Sequence, residues 1–273
     1  MPHLTVNGCR LYYTDQGQGE PVLLIHGLGS SSRDWENQMD ALLAEHRVIC
    51  VDMRGHGLSD KPRGPYSIQG FAEDCAELIA ALHLHRPHII GISMGGMIAF
   101  QLATMHPDVP ASLTIINSAP EVRPKRLREY AMVAQRLILA HTLPLSMTAR
   151  GLGRVLFPKA EQQALRETFE QRWCENDRAA YLASLRAIIG WSVVDRLGQI
   201  CCPVLVISGD NDYMPVEHKR EYVARLGDAR LEIIKDSCHA TPVDQPDHCN
   251  RLILDFLRHC ESARHPQQET TGA

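Results

Sequence analysis

Short, continuous apolar runs recur along the chain, separated by stretches in which apolar residues return at helical spacing. The runs are Val22–Ile25, Val48–Val51, His88–Ile92, Leu113–Ile116, Val204–Ile207 and Leu231–Ile234. Because polar residues do not alternate within them, they predict strands buried on both faces rather than on one. The intervening amphipathic stretches predict covering helices near Trp35–Leu43, Ser67–Leu82, Met97–Met105, Val216–Leu226 and Asp247–Cys260. This rhythm defines an α/β fold: a mostly parallel sheet with helices on both faces and right-handed crossovers. Ahead of it, Leu4 to Tyr13 forms two β-prone arms around Asn7-Gly8, a hairpin signal, and Gln16 to Glu20 is a Gly-rich loop.

The rhythm breaks after Asn117. From Pro120 to Gly198 there is no convincing strand, and helical patterns such as Leu127–Leu139 and Glu161–Trp173 take over. A helical insertion of roughly 80 residues is too long for a loop and short for an independent domain, so it is expected to pack as a lid over the carboxyl edge of the sheet. The predicted organisation is a core of residues 1–119 and 199–261, a helical cap of residues 120–198, and a polar, disordered tail of residues 262–273.

Composition narrows the picture mainly by exclusion. The chain has 273 residues, 44% hydrophobic and 22% charged, which suits one large globular domain or one domain with an insertion. A formal net charge of -4 without a basic patch gives no reason to expect a nucleic acid or an anionic membrane as partner. No signal peptide or membrane span is read, and nine cysteines without CxxC pairing suggest reduced thiols in a cytoplasmic protein rather than disulfides or a zinc site. Oligomeric state stays open between monomer and homodimer.

The candidate chemistry sits where strands end. Gly91-Ile92-Ser93-Met94-Gly95-Gly96 joins an apolar run directly to a helix. Small flanking residues let such a strand-to-helix turn close, lifting the serine hydroxyl clear of the sheet. The helix begins there, so the N–H of Met94 is unpaired at the positive end of the dipole and half of an oxyanion hole is supplied. After Ile25 comes His26-Gly27-Leu28-Gly29, where the N–H of Leu28 is the second candidate donor. The loop Gly209 to Pro215 carries Asp210 and Asp212, and Asp236 to Thr241 carries His239. Ligands of open α/β sheets bind outside the carboxyl ends of strands, and the order Ser, Asp, His is that of one hydrolase fold.

With these residues assembled, the chain resembles the α/β-hydrolase superfamily over nearly its whole length. The likeness is carried by His26-Gly27, Asp52-Met53-Arg54-Gly55-His56-Gly57-Leu58-Ser59, Gly91 to Gly96, Gly209 to Pro215 and His239 to Pro246. It implies an eight-stranded, mostly parallel sheet with helices on both faces and a cap after the sixth strand. It implies Ser93 as nucleophile, His239 as base and Asp212, rather than Asp210, as the acid that orients the imidazole. The Asp52 to Gly57 turn is then chiefly structural, explained by a buried ion pair and tight glycine turns, and Asp244 caps the last helix. One departure is Cys238, where the family commonly has glycine before the histidine; a thiol there could make activity sensitive to oxidation.

The expected activity is cofactor-independent and metal-free hydrolysis of a small-molecule carboxylic ester or lactone with a small to medium acyl group, through an acyl-enzyme on Ser93. The elbow also resembles those of 3-oxoadipate enol-lactonases, of cofactor-free haloperoxidases acting as perhydrolases, and of aminoacrylate-type hydrolases. A ligand receptor of the same fold with slow hydrolysis is the alternative of another class. His26, Met94, Met97 and Leu143 are candidates for the pocket wall, together with Leu139, Leu152 and Phe157, while Trp35 reads as a core residue at a helix start.

Overall fold

The structure, a computed structural model, describes residues 2–264. Strands β1 (His3–Val6) and β2 (Cys9–Gln16) form the expected hairpin, with Asn7 and Gly8 both at positive φ as a tight turn of this hand requires. Strands β3 (Glu20–Ile25), β4 (His46–Val51), β5 (His88–Ile92), β6 (Ser112–Ile116), β7 (Val204–Gly209) and β8 (Ala229–Ile234) complete one eight-stranded sheet in the order β1-β2-β4-β3-β5-β6-β7-β8. Only β1 and β2 run antiparallel to their neighbours.

The continuous apolar runs are explained by two cores, one on each face of the sheet. Leu23, Ile25, Ile49, Val51, Ile89 and Leu113 point to one face. There they meet α2 (Ile68–Ala81), α3 (Met94–Met105) and α8 (Val216–Val223) through Phe71, Ile98, Phe100 and Tyr222. Val22, Leu24, Val48, Ile90 and Leu205 point the other way, to α1 (Glu36–Leu43) and α10 (Pro246–Arg264), through Leu42, Phe256 and Leu257. Alternate residues of each strand thus enter opposite cores, and neither set is free to be polar.

Helix ends differ from expectation in informative ways. Trp35 belongs to a 3-10 turn, Ser32–Trp35, that precedes α1 and buries its indole completely. Helix α10 runs to Arg264, so residues 262–264 of the expected tail are its last turn, and residues 265–273 lie outside the described residues. A short helix, α9 (Thr241–Asp244), precedes α10.

Between β6 and β7 the chain makes its helical excursion: α4 (Leu127–Thr142), α5 (Leu145–Leu156), α6 (Gln163–Cys174) and α7 (Arg178–Ile188). The outgoing and returning strands of chain are tied together at its base, Val122 N–H donating to Trp191 O and Gly190 N–H to Val122 O. These helices have a small core of their own, centred on Trp173, Tyr181 and Leu185, against which Leu28 packs. The excursion is fastened to the loop after β3 by Asn176 Nδ2 donating to Gly29 O at 2.7 Å, by the Arg33–Glu175 ion pair and by Arg172–Glu36 at 2.8 Å.

Close backbone approach fixes where α3 meets the sheet. A Cβ on Gly95 would lie 2.0 Å from the carbonyl oxygen of Ile25, so only glycine lets the first turn of α3 pass the end of β3. Gly95→Ala is expected to destabilise the fold by about 3 kcal/mol or more, in the manner of an overpacked core. Urea unfolding checks this, and a variant within about 1 kcal/mol of wild type would contradict the close approach.

Candidate active site

Ser93 sits at the junction of β5 and α3 with φ +53 and ψ -117, a strained backbone for a residue with a side chain. The elbow is held from outside: Ser93 N–H donates to Ile116 O at 2.9 Å, and Ser118 Oγ donates to Ser93 O at 2.7 Å. Its glycines answer to specific contacts. A Cβ on Gly91 would stand 2.3 Å from Gly95 O, and one on Gly96 2.6 Å from Ser118 Cβ.

The His26–Gly29 loop lies alongside, a Cβ on Gly27 falling 3.6 Å from Ser93 Cβ. Among the described residues the N–H groups of Leu28 and Met94 have no protein acceptor, and Met94, first in its helix, has none within α3. His26 holds the loop rather than facing a ligand. It is fully buried, its Nε2 accepts from Met53 N–H at 3.0 Å, and its Nδ1 meets Gly27 O at 2.7 Å.

From the far side of the sheet's edge come Asp212 and His239. Asp212 Oδ1 accepts from His239 Nδ1 at 2.7 Å, while its other oxygen, Oδ2, pairs with Lys219. Burial pushes the Asp212 carboxyl up, but the hydrogen bond and charge of His239 and the Lys219 ammonium outweigh it and hold the group below the usual 3.8. Asp210 is turned elsewhere, accepting from Ser237 N–H at 3.2 Å, whereas Asp212 meets the imidazole.

Two residues not singled out from the sequence complete the arrangement. Asn117, at the end of β6, donates through Nδ2 to Cys238 O, His239 O and Thr241 Oγ1 at 3.1, 2.8 and 2.7 Å. Its Oδ1 accepts from Gly209 N–H at 3.0 Å and Lys219 Nζ at 3.3 Å. Tyr213 stacks on the His239 ring, 4.1 Å between centroids, and its hydroxyl lies 2.7 Å from His239 Nε2. The Ser93 side chain is near enough to the same hydroxyl to ease its ionisation slightly. Tyr213 is 52% exposed as a whole residue, yet its hydroxyl points inward, where burial pushes it up to about 12.

These groups open into a cavity of about 380 Å³. Its floor includes Ser93, His239 and Tyr213, and its walls are largely apolar, with Leu152, Leu156, Phe157, Phe169 and Trp173 from the helical excursion. Trp35 is at once core and wall. Met94, Met97, His26, Leu139 and Leu143 are not in that wall: Met94 and Met97 pack into the core beneath α3, and Leu143 ends α4 outside the cavity. Two charged side chains also face it, Asp34 and Arg136. Burial pushes the Asp34 carboxyl up, against a hydrogen bond from Ser30.

The buried ion pair near the Asp52 turn is Arg54 with Asp74, at 2.5 Å, and Asp52 instead accepts from Ser32 N–H at 2.7 Å and Leu58 N–H at 2.8 Å. His56 is pushed down to about 3, first by burial, and stays neutral. Asp244 does not cap α10; its carboxylate accepts from Ser237 Oγ and Cys238 N–H, both at 2.9 Å, and so closes the turn that carries His239. Burial and then the Asp244 charge push the Cys238 thiol up, which opposes the thiolate that oxidation would need. All nine cysteines are unpaired.

The family model described as the alpha/beta hydrolase fold matches residues 20–246, and the chain belongs to that family. It is 30% identical to a putative carbamate hydrolase RutD of Azorhizobium caulinodans, covering 94% of this chain and 98% of that protein. It is also 30% identical to a putative non-heme chloroperoxidase of Synechocystis, over 94% of this chain and all of that one. Among solved structures, the enol-lactonase of Burkholderia xenovorans LB400 superposes with a TM-score of 0.87 at 26% identity, over 94% of this chain and 100% of the other. An esterase of Exiguobacterium antarcticum gives 0.86 at 26%, over 93% and 97%. Fold and relatives together make the protein an enzyme of the hydrolase class. Among the described residues no helix is long and apolar enough to cross a membrane.

Asn117→Ala leaves the Gly209 N–H and the His239 carbonyl buried without the side chain that pairs with them, and takes one of its donors from the Cys238 carbonyl. A loss of about 3 kcal/mol or more is expected, read by urea unfolding; an unchanged midpoint would show the loops held by other contacts. The stability attached to Asp212 has a defined pH window. It is complete above the ordinary 3.8 and is lost as pH falls below that, through the depressed folded value. A circular-dichroism acid titration of the wild type beside Asp212→Asn is expected to show this dependence in the wild type alone.

Proposed function

We propose that the protein hydrolyses carboxylic esters or lactones of small to medium acyl groups, with Ser93 as nucleophile and no cofactor. The observation that carries this reading is the Asp212–His239 hydrogen bond of 2.7 Å, with the imidazole's other nitrogen held by the Tyr213 hydroxyl in the cavity that Ser93 also lines. A carboxylate on Nδ1–H holds the tautomer in which Nε2 is free to accept a proton.

In this mechanism the substrate carbonyl enters beside Ser93 and takes the place of the Tyr213 hydroxyl. His239 Nε2 removes the Ser93 proton as Oγ attacks, and the N–H groups of Leu28 and Met94 receive the developing oxyanion. Collapse breaks the bond to the leaving oxygen, which takes the proton from Nε2. Water then attacks the acyl-enzyme by the same route, returning acid and free serine. Asp212 stays ionised throughout and stabilises the imidazolium. The helical cap of residues 120–198 supplies the apolar acyl wall, and a cavity of about 380 Å³ suits acyl groups of modest length. The likeness to an enol-lactonase over that protein's full length supports a lactone as readily as an open-chain ester.

Steady-state hydrolysis of p-nitrophenyl esters from acetate to decanoate tests the reading. Ser93→Ala and His239→Ala are each expected to lose about 1000-fold or more in kcat while remaining folded, and retained turnover in either would overturn the mechanism. A single acylation event followed by a stall would instead mark a receptor. Tyr213→Phe removes the hydroxyl from between Ser93 and His239. It is expected to speed covalent labelling of Ser93 by a fluorophosphonate several-fold, and slower labelling would make the phenol part of the proton path.

A further inference from the structure

Helix α8 carries a lysine that its polar surroundings, Val216-Glu217-His218-Lys219-Arg220-Glu221, mark as solvated and that the fold buries. Lys219 is 1% exposed. Its Nζ donates to Asp212 Oδ2, to Ser208 Oγ at 2.8 Å, to Met214 O at 3.2 Å and to Asn117 Oδ1 at 3.3 Å, so the three ammonium protons are all used. An ammonium is costly to bury, and an apolar side chain of similar length would fill the same space without that cost. What distinguishes this lysine is its target. It takes the one oxygen of Asp212 that His239 does not, so the carboxylate is clamped between an ammonium and an imidazole, one on each oxygen.

We propose that Lys219 is a positioning residue for hydrolysis, fixing the plane in which Asp212 presents Oδ1 to His239 and offsetting part of the carboxylate charge that the imidazole feels. The inference rests on the triad reading of the preceding section. Other titratable groups facing the pair do not supply this charge. Tyr213, from the same loop, and Tyr222, from α8, are phenols that burial keeps protonated, the latter donating to Ser118 O at 3.0 Å. Among the described residues no other lysine or arginine pairs with Asp212. The pair also spans three elements. Lys219 reaches back from α8 to β7 and its loop, while Asn117 brings in β6 and the turn of His239.

The sign of the charge effect is fixed. The ammonium cancels part of the field that the Asp212 carboxylate exerts on the imidazole beside it. Removing the ammonium should therefore move the acidic limb of kcat/KM to higher pH, while loss of the clamp lowers kcat without weakening substrate binding.

Lys219→Met and Lys219→Gln are assayed on p-nitrophenyl butyrate across pH, beside the wild type and Ser93→Ala, after circular dichroism has shown which variants fold. For Lys219→Met, kcat should fall about 10- to 100-fold with KM within about twofold, as for a misplaced catalytic group. Its acidic limb should move up by about one pH unit, the scale of one neighbouring charge. Lys219→Gln keeps a donor for Asp212 but no charge, and should retain more of kcat while showing the same limb shift. A folded Lys219→Met with wild-type kcat and an unmoved limb would reduce Lys219 to a structural plug. Where neither variant folds, the wild type decides: the slowly exchanging 15Nζ signal of the buried ammonium should shift in step with the acidic limb, and a signal silent through that range overturns the proposal. Turnover surviving in Ser93→Ala would overturn the triad itself, which separates the two failures.

Discussion

The carboxyl edge of the sheet depends on one buried amide. Asn117 stands where β6 ends, and hydrogen bonds at both of its polar side-chain atoms reach the loop carrying Asp212 and the turn carrying His239. An amide suits the position because it donates and accepts at fixed points on a rigid plane. The adjoining loops follow β7 and β8, 92 residues from Asn117 at Gly209 and 122 at His239, and neither has regular structure to set its height above the sheet. Tied to a common side chain on a central strand, both inherit the rigidity of the strand. The 2.7 Å approach of Asp212 to His239 is thus a property of β6 as much as of the residues that make it.

Around that tie the site divides into a polar side and an apolar one. On the polar side Lys219, Asp212 and His239 form a line of alternating charge character, nearly removed from water, in which each member is tolerable only because of the next. On the apolar side lie the rings and aliphatic chains of the helical excursion. Ser93 and Tyr213 occupy the boundary. Such a boundary places hydrogen-bonding groups in a low-dielectric surrounding, where each is worth more than it would be in water and where an unpaired one is penalised.

The helical excursion acts on this boundary through the loop after β3. Trp173 packs so closely over Gly29 that a Cβ there would lie 2.6 Å from the indole, and Asn176 accepts no freedom in the same peptide by holding its carbonyl. The same loop offers the Leu28 N–H. A change in how the helices seat would therefore be felt first at that N–H group, before it reached Ser93. The wall of the cavity and one of the two candidate oxyanion donors share a support, which couples what the site accepts to how it holds the accepted group.

How much of this was legible in the chain follows from the range of the forces involved. Continuous apolar runs and intervening helical periodicity determined the sheet, its two covered faces and the interruption after Asn117, because burial on both faces forbids polar residues wherever in space the strand ends up. The turn chemistry was equally local: Gly91, Gly95 and Asn7-Gly8 are required by backbone geometry within a few residues. Ser93, Asp212 and His239 could be named because each stands at a fixed offset from a strand end. Lys219 and Tyr213 could not, since a lysine in a polar octapeptide and a tyrosine in a loop look solvated until the fold decides which way they turn. The same holds for Leu143 and Met97, placed at the cavity by their positions in the helical insertion and beside Ser93 and away from it by packing, and for Asp244, whose carboxylate reaches back to Cys238 instead of forward to the helix. Position along the chain determined which residues reach the carboxyl edge of the sheet; only tertiary structure decided what they touch there, because those contacts join segments as far apart in sequence as Asn117 and His239, 122 residues, and no local pattern encodes a partner at that distance.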